Sequence, residues 1–341
     1  MTRLARNGAG TPVVPTGMPL PFAAVSILDR AQSRQGSPEA ESLHHVIARA
    51  QRAEELGYRR FWVAEHHGVP GIAGSAPAVL AAAVASRTST IRVGSGGIML
   101  PNHQPLVVAE QAATLGALFG GRFDLGIGRS LGFTQAVRSA LRTGKDESAR
   151  FGEDVDDLLA FLDGSAPVTA RPADAGRTPV FVLATGHGVE VAARAGLAVV
   201  VGGPALAEEA GGALELYRES FRPSRWWGRP YVLASLNVAV AETTAAARRL
   251  LLPEARALAS SRTRGSFPPL RAETGEGLTD RESGYVEESL RSAVHGTPSE
   301  VERALADLQA RTGADELLVS GGAYDLEGRA RSDELLADLF R

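Results

Sequence analysis

The chain has 341 residues, 44% hydrophobic and 22% charged, with 38 Gly, 19 Pro and no Cys. That composition excludes disordered, collagen-like and coiled-coil classes, and the missing cysteine removes disulfides, thiolate nucleophiles, zinc–thiolate sites and iron–sulfur clusters. Thirty-six basic residues against thirty-nine acidic ones leave a formal charge of −3, too balanced to attract nucleic acid or an anionic membrane by bulk charge. Redox chemistry would therefore need a bound cofactor. Residues 1–20 hold no apolar run long enough for a signal peptide, and no later stretch approaches a membrane span, so a flexible tail on a cytoplasmic protein is expected.

Residues 22–28 are a short apolar run ended by Asp29, and a helical period over 39–56 follows and stops at Gly57. The unit recurs. Strand-like runs at 60–67, 91–97 and 123–128 precede helical stretches at 77–86, 106–118 and 153–162. In the second half, runs at 179–184, 197–202, 231–241 and 316–322 precede helices at 189–195, 206–220, 244–259 and 332–340. Eight nearly all-apolar strands, each followed by a helix, predict a parallel sheet buried on both faces and closed as a (β/α)8 TIM barrel, with an open doubly wound sheet as the alternative. Residues 260–284 break the rhythm, being polar, rich in Pro and Gly and long for a connection. They read as a lid inserted after the seventh strand–helix unit, or as a passive surface insertion, within one domain spanning 21–341.

In such a barrel, chemistry belongs at the carboxyl ends of the strands. The second strand ends in Glu65, His66 and His67, the third in Ser95, Gly96 and Gly97, the fourth in Gly128, Arg129 and Ser130, and the fifth in Thr185, Gly186 and His187. A carboxylate beside two imidazoles can hold or move a proton near neutral pH, and adjacent strand residues point to opposite sides, so one of His66 and His67 is expected to reach a pocket. Gly96 and Gly97 allow a flat group to rest on main chain, and Arg129 offers a planar fork of donors to a phosphate. A metal centre is not expected, because His187 is the one further strand-end histidine and there is no His-x-His pair.

The string AEHHG (64–68), then IRVGSGGIMLPNHQPLVVAEQAATL and GRFDLGIGRSLG, resembles the bacterial luciferase-like flavin monooxygenases. The resemblance implies the same barrel and reduced FMN as cofactor, or in a related branch the deazaflavin F420. It further implies that reduced flavin, supplied by a separate reductase, reacts with oxygen to a C4a-hydroperoxide that hydroxylates, epoxidises or performs Baeyer–Villiger insertion on a hydrophobic substrate. The branch it resembles accompanies natural-product pathways, which points to a polyketide-type metabolite. By the same resemblance, His66 handles a proton beside the flavin with Glu65 supporting it, and Gly96-Gly97 is a non-prolyl cis peptide under the isoalloxazine. Arg129, the backbone of Leu131 and Arg150 contact the phosphate, and the Ala-rich helix over 77–86 belongs to a homodimer interface. Gly186 and Val189 stand where the family commonly has Ser and Thr, with His187 or backbone N–H groups as substitutes. Two lost hydroxyl donors, at about 1 kcal/mol each, imply weakly held flavin. Gly128 replaces the cysteine of luciferases, so light emission is not implied. An F420-dependent dehydrogenase and a non-catalytic flavin-binding protein are the alternatives.

Overall fold

The computed structural model describes residues 20–184, 186–203, 206, 212–272 and 277–341. All but the last residue of the expected tail, Leu20, lies outside them. The strands are β1 (Ala24–Asp29), β2 (Arg60–Val63), β3 (Arg92–Ser95), its continuation β4 (Ile98–Met99), β5 (Phe123–Gly128), β6 (Val180–Leu183), β7 (Ala198–Gly202), β8 (Val232–Val240), the outer β9 (Val294–Gly296) and β10 (Glu316–Ser320). All their pairings are parallel, and β10 pairs with both β1 and β8, which closes an eight-stranded barrel. Strands without an exposed face read as uninterrupted apolar runs, which is why the sequence pattern announced them.

The helices are α1 (Glu39–Leu56), α2 (Pro77–Ala85), α3 (Pro105–Leu118), α4 (Gln135–Leu141), α5 (Lys145–Ala149), α6 (Phe151–Asp163), α7 (His187–Ala195), α8 (Ala213–Ser220), α9 (Thr244–Arg264), α10 (Asp280–Arg291), α11 (Pro298–Thr312) and α12 (Leu326–Asp338). Gly57 ends α1 in the left-handed conformation, φ 87°, with its N–H turned back to the carbonyls of Ala53 and Glu54. Several boundaries differ from the sequence reading. The second strand stops at Val63, so Glu65, His66 and His67 sit on the loop beyond it. Helix α12 starts before residue 332 because the Asp325 carboxylate caps it, accepting from Gly328 N–H at 3.0 Å. Among the described residues, the helix expected over 206–220 is continuous from Ala213.

The polar stretch 260–284 is helical at both of its ends, 260–264 and 280–284. Helix α9 runs through Arg264, and Thr279 with Glu282 forms a capping box that starts α10. Its polarity reflects ion pairs between the two helices, Arg262–Glu288 at 2.9 Å and Arg264–Glu282 at 2.8 Å. The intervening loop is pinned across the barrel mouth. Phe267 O accepts from Gly71 N–H, Ser33 O from Leu270 N–H and Leu270 O from Gln35 N–H, at 2.8 to 2.9 Å.

The amino end of the barrel is closed by a buried charge cluster. Arg60, opening β2, donates to Asp124 Oδ2 on β5 at 2.7 Å and to Glu316 Oε1 on β10 at 2.9 Å. Arg92 donates to Asp124 Oδ1 at 2.7 Å and Tyr231 OH to Glu316 Oε2 at 2.7 Å. Two guanidinium groups thus meet two carboxylates. Trp62 and Phe181 pack edge to face, 4.8 Å apart, and the Arg60 guanidinium sits 5.0 Å from the centre of the Phe181 ring. Burial works against the charge of Arg60, and the two carboxylates outweigh it. Arg60→Leu leaves both acids under-paired in the core and is expected to cost about 3–5 kcal/mol in urea unfolding; a loss below about 1 kcal/mol would contradict this role.

Candidate active site

At the carboxyl face, one carboxylate gathers three segments. Glu65 Oε1 accepts from His67 Nε2 at 2.6 Å and from His103 Nε2, at the foot of α3, at 2.9 Å, while Oε2 accepts from Met99 N–H on β4 at 2.9 Å. Burial opposes its ionisation, but the bonds from His103, His67 and Met99 prevail and hold its pKa down to about 2. The expectation that Glu65 supports the His66 ring is corrected here, because its hydrogen-bond partners are His67, His103 and Met99. His103 was missing from the sequence reading although it lies in the PNHQP string, since nothing local says that it folds back onto β2. Glu65, His67 and His103 place three ligand-type atoms within 4.8 Å of one another, and hydrogen bonds between them already use those atoms.

The two neighbouring histidines face different ways, as expected, although both lie on the loop after β2. His67 turns to Glu65, and His66 lines a cavity of about 1130 Å³. His66 Nδ1 is buried and has no partner among the described residues. Its imidazole stacks on the Phe133 ring, centroids 5.8 Å apart and planes at 10°. Burial first, then the positive field of Arg30, lowers its pKa to about 4 over the opposing pull of Glu65, so the ring is neutral at pH 7.

The cavity is walled by contiguous strand ends. Going round the barrel, His66 follows β2, Arg30 follows β1, Ser320 ends β10, Ser235 and Asn237 lie on β8, and Gly202 ends β7. Helices α9 and α10 and the Phe267 loop roof it with Leu258, Phe267 and Tyr285. Arg30 Nη1 donates to Glu254 Oε1 at 2.6 Å, and Ser320 Oγ donates to Asn237 Oδ1 at 2.9 Å. The sequence reading did not single out Arg30, Glu254 or Asn237, whose partners lie far away along the chain.

The other half of the mouth, over β3 to β6, carries the remaining predicted residues. Gly96-Gly97 is a cis peptide bond, as the resemblance implied. A Cβ on Gly96 would come within 2.5 Å of Leu28, and one on Gly97 within 2.9 Å of Leu183, whereas Gly128 has room. The result is a stretch of main chain from which no side chain rises. Ser95 bridges the break, its Oγ donating to Gly126 O at 2.8 Å and accepting from Gly126 N–H at 3.0 Å. Arg129 is exposed and Leu131 half-buried, and Arg129 O accepts from Ser148 Oγ at 3.2 Å. That bond brings α5, and Arg150 directly after it, beside the end of β5. Arg150 Nε pairs with Glu153 at 3.2 Å and His187 Nδ1 with Glu190 at 3.0 Å, all on the surface. Gly186 precedes α7 with φ 56°, and no side chain caps that helix. Val189 is buried against the core rather than offered to a ligand. These flavin-contact candidates therefore lie outside the walls of the large cavity, which His66 borders.

Residues 23–316 match the family model described as luciferase-like monooxygenase. A protein of that name from Escherichia coli K12 is 34% identical over 323 residues, 93% of this chain and 96% of the relative. The crystal structure of apo-MsnO8 superposes with a TM-score of 0.81 at 32% identity, covering 94% and 98% of the two chains. N-acetyl-S-alkylcysteine monooxygenase of Bacillus subtilis is 44% identical over a shorter 148 residues, 43% of this chain and 44% of its own. Two more distant structures share the fold: a type II Baeyer–Villiger monooxygenase component from Pseudomonas putida in complex with FMN (TM-score 0.68, 18% identity, 94% and 98% covered) and an F420-dependent secondary alcohol dehydrogenase (0.70, 13%, 94% and 99%). Among the described residues no helix is long and apolar enough to cross a membrane. With the barrel and the strand-end residues in place, this chain belongs to the luciferase-like monooxygenase family.

Proposed function

We propose that the chain is a reduced-FMN-dependent monooxygenase acting on an organic substrate held in the large cavity. The observation that carries this reading is His66, a neutral imidazole with a buried Nδ1 that has no partner among the described residues, at the wall of the large cavity. The residues fit a flavin. Gly96-Gly97 and Gly128 would hold the ring system, and the uncapped N-terminus of α7 with Arg129, Arg150 and His187 would hold the phosphate. Reduced FMN, when bound, supplies the electron pair that splits dioxygen into an inserted oxygen atom and water.

His66 provides at Nδ1 one site that accepts or donates a proton, depending on tautomer, and its depressed pKa keeps that site uncharged through the neutral range. Helices α9 and α10 and the Phe267 loop cover part of the same space. Glu65 acts one step back, fixing the β2, β4 and α3 segments around His66. Without Ser and Thr at Gly186 and Val189, and with Arg150 and His187 exposed, FMN exchanges readily and a separate reductase delivers it reduced. The N-acetyl-S-alkylcysteine relative supports oxygenation of a thioether or a similarly soft centre on a substrate with apolar bulk. The apolar side chains Val79 (71% exposed), Val107 and Leu118 (68% exposed) on α2 and α3 suit a homodimer interface in the cytoplasm.

His66→Ala should leave binding of reduced FMN within about threefold but raise the share of consumed oxygen released as hydrogen peroxide about tenfold or more. An unchanged peroxide share removes His66 from the chemistry. In NMR spectra, His66 should titrate with a midpoint of about 4. Because that value lies below the unfolded one, its contribution to stability is full above about pH 6.5 and is lost as pH falls toward 4. A midpoint of about 6 to 7 would contradict the neutral, buried ring. Val79→Glu with Leu118→Glu should convert a dimer to a monomer in light scattering; a wild-type monomer would reject the interface.

A further inference from the structure

Resting on the monooxygenase reading, we propose that the cavity selects a substrate bearing a carboxylate, and that Arg30 with Asn237 forms its binding clamp. Arg30 is at the cavity wall with its side chain 27% exposed, and among the described residues only its Nη1 is bonded, to Glu254. Glu254 is itself buried and fixed by Gly322 N–H, immediately after β10. The acid therefore works as a bracket. It holds the guanidinium by one edge and leaves Nε and Nη2 for a ligand.

Asn237 is arranged likewise. Ser320 Oγ occupies its Oδ1, which orients the amide and leaves the Nδ2 donors without a partner among the described residues. Ser320 and Asn237 face each other in the β10–β8 register, and β1, which leads into Arg30, flanks β10 on the other side. The two sets of donors thus flank β10, Arg30 following β1 and Asn237 lying on β8, with Arg30 held by the Glu254 carboxylate and Asn237 by the Ser320 hydroxyl. A carboxylate, with two oxygens and four lone-pair directions, is the small group that such donors match. The surrounding Val69, Ile72, Leu236, Leu258 and Phe267 suit an apolar body attached to that acid. His66, on the loop after β2, whose strand neighbours β1, then faces substrate atoms a short way from the anchored end.

The test is calorimetric titration of the full chain, without flavin, with N-acetyl-S-benzylcysteine and 6-phenylhexanoate, each beside its primary amide. At least one acid should bind about tenfold or more tightly than its amide, as expected for charge-assisted hydrogen bonds. Arg30→Gln should remove that preference while amide binding stays within about threefold. Since Arg30→Gln strands the buried Glu254 charge, the double variant Arg30→Gln/Glu254→Gln keeps a neutral hydrogen bond there and should behave the same way. Asn237→Ala should weaken the acid severalfold. Equal binding of acid and amide, binding of neither acid, or a preference that survives in the double variant would overturn the clamp. Failure of the underlying reading would show separately, as no effect of the protein on oxygen uptake by reduced FMN.

Discussion

The arrangement of the candidate site depends on a single buried carboxylate. Glu65 takes N–H groups from the loop after β2, from β4 and from the start of α3, and among the described residues no other side chain bonds to all three. Three such bonds overcome the cost of burial and keep the group ionised at any physiological pH. Because His67 and His103 are spent on Glu65, the residue between Glu65 and His67 is left to point the other way. His66 therefore reaches the cavity as a consequence of its neighbours' bonding. The same carboxylate locates Met99, three residues beyond Gly96, and so ties the chain after the cis peptide to the loop that carries His66.

The barrel is asymmetric from end to end and from side to side. Its amino end is sealed by the Arg60, Arg92, Asp124 and Glu316 cluster and the aromatic layer of Trp62 and Phe181, which leaves the carboxyl face for ligands. On that face, Gly96 and Gly97 sit where a Cβ would clash with Leu28 and Leu183, while the ends of β8, β10, β1 and β2 bring polar groups to a large cavity. The proposed cofactor and substrate positions rest on that division. The Phe267 to Leu270 loop beside α9 is held by backbone bonds to the loops that follow β1 and β2.

The barrel was legible because a parallel strand buried on both faces leaves an apolar run in sequence, and eight such runs spaced by helical periods admit few architectures. Helix ends set by a side chain were less so: Asp325 and Thr279 start helices whose first turns look like polar loop. The AEHHG and GSGG strings fall just beyond or at the ends of β2 and β3, a few residues off the expected bounds, and the resemblance they carry pointed to the cis bond at Gly96-Gly97. Partners across the barrel mouth were not legible. His103 lies 38 residues from Glu65, and Glu254 lies 224 residues from Arg30, separations at which composition and period carry no information. The residues that bracket other residues were missed for the same reason.

The most direct test of the account is an anaerobic calorimetric titration with photoreduced FMN and, separately, reduced F420, followed by admission of oxygen while uptake and hydrogen peroxide are measured. The account predicts binding of reduced FMN in preference to F420 and a rate of oxygen uptake that the protein changes. Binding of F420 alone, or reduced FMN reoxidising as it does in buffer, would contradict it.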